Sequence, residues 1–270
     1  MIAIAAPRRG PRRHRRVFAI VLAGLAVAAW IALWAWARSP YGRWLDHGDW
    51  AASGPAAALC RFVPGGSWLV PAGFTVAAWV LMIVAMMLPT TLPLVDSFER
   101  MTRQRGDGAR LLGLVVIGYV AVWSAFGLVA HALDAGLRAM VVESMWFAAR
   151  AHWVGIAVIA LAGAFQFSAL KQRCLDKCRT PLSFVIEHWH GVAPRREALA
   201  LGAHHGLFCL GCCWALMLLM FVVGTGNLGW MLVLAALMAV EKNLPWGRRL
   251  GAPLGAALLG WAALLAVAGP

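Results

Sequence analysis

Seven apolar stretches, each about as long as a bilayer's hydrocarbon core is thick, divide this chain and leave it few possible folds. They cover about 17–37, 74–93, 111–133, 152–170, 204–223, 228–246 and 252–268. A segment surrounded by lipid must satisfy its own backbone polar groups, so runs of this length are helices. The short alternating strands of a membrane barrel are not in the pattern. The chain therefore reads as all-α, a polytopic membrane helix bundle of about seven transmembrane helices. A basic tail, residues 1–16, precedes a single transmembrane domain, 17–270. Apolar residues at 62% against 13% charged agree with that class.

The net charge of +13 is informative through its placement. With seven spans, 19 of the 24 basic residues fall on one side, and Arg38, Arg43, Arg61, Arg138 and Arg150 fall on the other. The positive-inside rule then puts the N-terminus in the cytoplasm and the chain in a bacterial cytoplasmic (inner) membrane as a multi-pass protein. Topology accounts for the basic residues, so the expected partner is the lipid bilayer and not nucleic acid. Arg15-Arg16-Val17-Phe18 is faintly similar to an export signal, and Ala35-Trp36-Ala37 to a cleavage site. The run from Val17 to Ala37 is long enough to span, and we read it as an uncleaved first helix.

The chemistry concentrates between His204 and Leu250. Cys209, Cys212 and Cys213 share one helical face at i, i+3 and i+4, and Met217 continues it. Gly224 to Asn227 reads as a tight turn between two spans. Cys213 and Met238 are both about 16 Å from that turn by helical rise, and Cys209 and Glu241 about 21 Å. Cys174 and Cys178 are i, i+4 on an expected extension of the fourth span, which Pro181 stops. Met86 and Met87 lie at the cytoplasmic end of the second span, where Pro89 and Pro93 kink it. Gln166 is a polar residue inside an apolar run. The run from Leu228 to Val240 is too short to span, so the helix is expected to continue through Leu244 or Trp246. That draws Glu241 below the surface, with Lys242, Arg248, a metal or a proton as its partner. His205 is i, i+4 to Cys209. Asp46, His47 and Asp49 suggest a weak loop site, Cys60 is isolated, and Thr180–Ala203 reads as the longest cytoplasmic loop.

With the cytoplasm on that side, all of these groups converge on the inner half of the bilayer. Thiolates and thioethers are soft ligands that suit Cu(I), and thiolates also suit Zn(II) or iron–sulfur clusters. In a reducing compartment the thiols stay free. The candidate metal ligands are Cys209, Cys212, Cys213, Cys174, Cys178, Glu241, Met86, Met87, Met217, Met238, His205 and Gln166, and the favoured ion is Cu(I) over Zn(II). The function expected is metal handling or delivery, with a metal donor or a cuproenzyme acceptor as partner. A thiol-based membrane redox protein and a structural or assembly subunit of a membrane complex stand as alternatives. No catalytic residue is assigned.

Several segments together, Ala85 to Pro93, Gln166, Cys174 to Pro181, Gly206 to Trp214, and Glu241 to Gly247 after Gly226-Asn227-Leu228-Gly229-Trp230-Met231, are similar to a known set. Over about residues 74–250 the chain resembles the bacterial family of predicted metal-binding integral membrane proteins, long carried as a domain of unknown function. The resemblance implies a metal site in the membrane. It places Met86, Met87, Gln166, Cys174, Cys178, Cys209, Cys212, Cys213 and Glu241 on the family pattern. The family commonly has Tyr where this chain has Phe165, and often Pro where it has Ala169.

Overall fold

The computed structural model describes residues 11–39, 69–224 and 227–268. The Asp46–His47–Asp49 group, Cys60 and most of the basic tail lie outside them. Eleven α-helices and no strands are found among the described residues. They are α1 (Pro11–Ala37), α2 (Leu69–Met86), α3 (Leu92–Thr102), α4 (Gly108–Glu143), α5 (Met145–Ala148), α6 (Ala151–Phe165), α7 (Ala169–Arg179), α8 (Pro181–His188), α9 (Pro194–Val223), α10 (Leu228–Asn243) and α11 (Gly251–Ala268). Short 3-10 turns occupy Leu88–Thr91 and Gly247–Leu250.

Four of these helices, α1, α4, α9 and α11, are long and apolar enough to cross a membrane. The bent pairs α2–α3 and α6–α7 raise the number to six if each is one span. The expected span at 228–246 is the one that falls short. It is a helix of 16 residues that ends at Asn243, with Leu244 already extended.

Helix α9 is the centre of the bundle. In its apolar window 61% of residues are buried, against 22% or 33% in the other three long helices. It packs on α4, α6, α7 and, less extensively, α10. Close approach to α4 rests on two glycines. A Cβ on Gly202 would collide with the Val115 carbonyl, and one on Gly118 with the Leu199 carbonyl. Small residues at such crossings let backbones meet where lipid gives no hydrophobic drive for association.

Four boundaries depart from the sequence expectation. Helix α4 runs on to Glu143, because Asp134 and Arg138 form an i, i+4 ion pair (2.8 Å) on the helix and not a loop. The fourth span does not extend straight into Cys174–Cys178. It bends by 63° after Phe165, and Ser168 restarts the helix by accepting the N–H of Lys171 at 3.1 Å. The expected cytoplasmic loop 180–203 is largely helical, containing α8 and the first turns of α9. There the Glu197 carboxylate accepts the N–H groups of His190, Gly191, Val192 and Ala193, which fixes the start of α9. At the N-terminus, helix α1 begins at Pro11, inside the expected tail. The kink near Pro89 and Pro93 falls where expected, as a 46° bend between α2 and α3.

Candidate metal centre

Cys209, Cys212 and Cys213 project from the buried face of α9, each at most 2% exposed. The Sγ atoms of Cys212 and Cys213 donate to the Cys209 carbonyl at 3.0 and 2.9 Å, a back-bond that holds both on the preceding turn. Cys178, half-buried on α7, packs against the same core beside Cys209 and Cys212. Cys174 is buried beside them, against Gly211. A Cβ on that glycine would start 2.6 Å from the Cys174 Sγ. All five of these thiols are free.

A lysine nitrogen sits among these sulfurs. Lys242 Nζ lies 2.9 Å from Cys209 Sγ, 3.7 Å from Cys213 Sγ, 3.8 Å from Met87 Sδ and 3.5 Å from Thr90 Oγ1. Thr90 in turn donates to the Met87 carbonyl at 2.7 Å, which fixes the 3-10 turn carrying that methionine. On the far side of Cys209, the Tyr119 hydroxyl of α4 is 2.9 Å from Sγ. The Tyr119 ring stacks on His205 at 5.9 Å between centroids. His205 is buried, and its Nδ1 has no hydrogen-bond partner.

Met86, Met217 and Met238 are at most 1% exposed and belong to the same core as the thiols. Glu241 and Gln166 are equally buried and meet a second buried lysine, Lys171. Lys171, fully enclosed, reaches the Glu241 carboxylate oxygens at 2.7 and 2.9 Å and also donates to Gln166 Oε1. Arg179 donates to the carbonyls of Glu241 and Pro245, so α7 clamps the end of α10 at two points. At the exposed surface, the Lys177 ammonium 2.8 Å away holds the Glu187 carboxyl below its ordinary range and ties α7 to α8.

The structure thus brings Cys178, Cys209, Cys212, Cys213 and Met87 together, with Cys174 and His205 at the margin. Glu241 and Gln166 are engaged by Lys171. Tyr119, Thr90 and Lys171 were not among the residues that the sequence singled out. Lys242 was considered only as a partner for Glu241. Adjacent residues on a helix point about 100° apart, and Glu241 meets Lys171 while Lys242 meets Cys209. Among the described residues, no group of three or more His, Cys, Asp or Glu side chains is arranged to hold a metal ion.

Fold and site together define a bundle of apolar helices whose innermost helix carries a cluster of soft sulfur donors around one buried cation. The chain belongs to the PpoB2 copper-chaperone family, which it matches over residues 76–265. Searches of curated proteins and of solved structures find no match.

Proposed function

We propose that this chain is a copper-handling protein of the bacterial cytoplasmic membrane. It accepts Cu(I) from a cytoplasmic donor, holds it among Cys209, Cys213 and Met87, and passes it to an acceptor such as a cuproenzyme. The observation that carries this reading is the set of distances from Lys242 Nζ to those three sulfurs, a cation-sized position ringed by soft atoms. Membership of a copper-chaperone family supports the ion, and the one-sided distribution of basic residues supports the orientation.

The donor set favours Cu(I) over Zn(II). Zinc in a closed site takes four nitrogen, oxygen or thiolate ligands in a tetrahedron, and a thioether is a poor substitute. Cu(I) accepts two thiolates with a thioether beside them. Each thiol that binds the ion gives up its proton. Tyr119 orients Cys209 from α4. Cys178 and Cys212 lie close enough to receive the ion next, which gives a route along α7 and α9 without a large movement.

Copper stoichiometry of protein purified in mild detergent tests this reading. Wild type is expected to retain Cu(I) that a Cys209→Ser, Cys212→Ser, Cys213→Ser triple variant does not. Equal copper in the two proteins ends the proposal. The contact of Cys178 with Cys209 and Cys212 favours one competing reading, reversible disulfide chemistry. That reading predicts a reversible loss of free thiols on oxidation of metal-free protein, with no copper retained.

A further inference from the structure

We propose that Lys242 is a tethered cation that fills the copper pocket whenever copper does not, and that the incoming ion must evict it. The inference rests on the copper reading above and concerns how the same site is loaded and released.

Lysine offers three N–H donors and one positive charge at the end of a long, flexible stem. Here the stem leaves the last turn of α10, and its nitrogen lies among Cys209 Sγ, Cys213 Sγ, Met87 Sδ and Thr90 Oγ1. Three of those four partners are sulfur. Sulfur is a weak acceptor, and a buried lysine normally seeks oxygen. Lys171, one helix away, does so: it takes both oxygens of Glu241 and the oxygen of Gln166. Lys242 has no carboxylate because the neighbouring acid is already engaged. Its residue is 7% exposed, so water does not replace one.

A cation among sulfurs has a consequence for loading. It stands between the α9 thiols and Met87, at the start of the Leu88–Thr91 turn. It therefore competes with the incoming ion. Two positive charges a few ångströms apart in a poorly screened interior repel strongly, so copper and the lysine nitrogen cannot share the position. Loading is then an exchange of one cation for another at that position, and the protons of the thiols that bind the ion leave to the cytoplasm. On release the lysine returns and blocks rebinding. A chaperone gains from this device, because it must give its ion up to an acceptor. Affinity is traded for ease of transfer, as any competing occupant lowers apparent binding by mass action.

The test is Cu(I) affinity by competition with bicinchoninate, and the rate of copper loss to excess bathocuproine disulfonate. Wild type is compared with Lys242→Leu and Lys242→Gln. Both variants are expected to bind Cu(I) about tenfold more tightly or better, a shift of about 1.4 kcal/mol, and to release it correspondingly more slowly. Unchanged or weaker binding in folded variants overturns the role of Lys242 and leaves the copper reading intact. Absence of Cu(I) binding by wild type overturns both. A second measurement needs no variant. The chain has only Lys171, Lys177 and Lys242. Amine acylation read by mass spectrometry should modify Lys242 faster in copper-loaded than in copper-free wild type. Lys177, exposed, and Lys171, fully enclosed, are the internal controls. Equal or slower modification of Lys242 on loading overturns the proposal.

Discussion

Lys171 and Glu241 are 70 residues apart in sequence and form an ion pair in which the lysine side chain is fully enclosed and the carboxylate 3% exposed. Both carboxylate oxygens and the Gln166 oxygen converge on one nitrogen. The pair sits where α7, folded back by the bend after Phe165, meets the last turn of α10.

Removing one partner leaves an uncompensated buried charge, while removing both does not. Lys171→Met is expected to lower stability by about 3–5 kcal/mol in mixed-micelle unfolding. Lys171→Met with Glu241→Leu is expected to recover most of that loss. A double variant as unstable as the single one would show that the pair does more than neutralise charge.

Gly202 and Gly211 mark two helix contacts with different tolerance. A Cβ at Gly202 meets the backbone of Val115, which cannot yield, whereas one at Gly211 meets the Cys174 side chain. Gly202→Ala should therefore separate α9 from α4 and destabilise by roughly 3 kcal/mol or more, at the upper end for overpacked cores. Gly211→Ala should cost about 1–3 kcal/mol, and Cys174→Ala should partly rescue it by removing the Sγ atom. The check is a double-mutant cycle on unfolding free energies, in which a coupling near zero would contradict the contact.

Tyr119 supplies the only hydroxyl near Cys209 among the contacts described, at 2.9 Å. Groups that orient a metal ligand from outside typically change affinity by about 10- to 100-fold when removed. Tyr119→Phe keeps the ring that stacks on His205 and deletes only the hydroxyl. Its Cu(I) affinity is expected to fall by about tenfold with little change in stability. Unaltered affinity would mean that Cys209 is positioned by α9 alone.

Much of this arrangement was legible in the sequence, and the misses have physical causes. The long apolar runs fixed the helical class, and the i, i+3, i+4 thiols did mark the buried face of α9. Counting outward from the turn at Gly224 placed Cys209 level with Glu241. Lys242, one residue on and rotated by about 100°, reaches Cys209, while Glu241 meets Lys171. Depth follows from rise per residue, but rotation depends on packing against α7, which spacing within one hairpin does not contain. The α6–α7 bend was missed because Phe167 and Leu170 continue the apolar run across it, although Ser168 is a good N-cap residue. The ion pair of Asp134 and Arg138 looked like loop polarity, and only its i, i+4 spacing hinted at helix. Tyr119 carried no signal at all, being one aromatic in a long apolar span.

The two thiols of α7 should behave differently, although they share a face. Cys178 packs beside Cys209 and Cys212, so on the copper reading it is the α7 thiol placed to take the ion from α9. Cys174 lies one turn earlier against Gly211, where its surroundings are the α9 backbone. Cys178→Ser is therefore expected to slow copper transfer from the loaded protein to an external chelator by about an order of magnitude, since a hydroxyl is a hard donor that Cu(I) does not favour. Cys174→Ser should change that rate by less than about twofold, and its main effect should be on packing. Transfer rates for the two single variants, measured with equal copper loaded, check this. The same slowing in both would place Cys174 on the path of the ion and move the point of transfer a turn toward the start of α7.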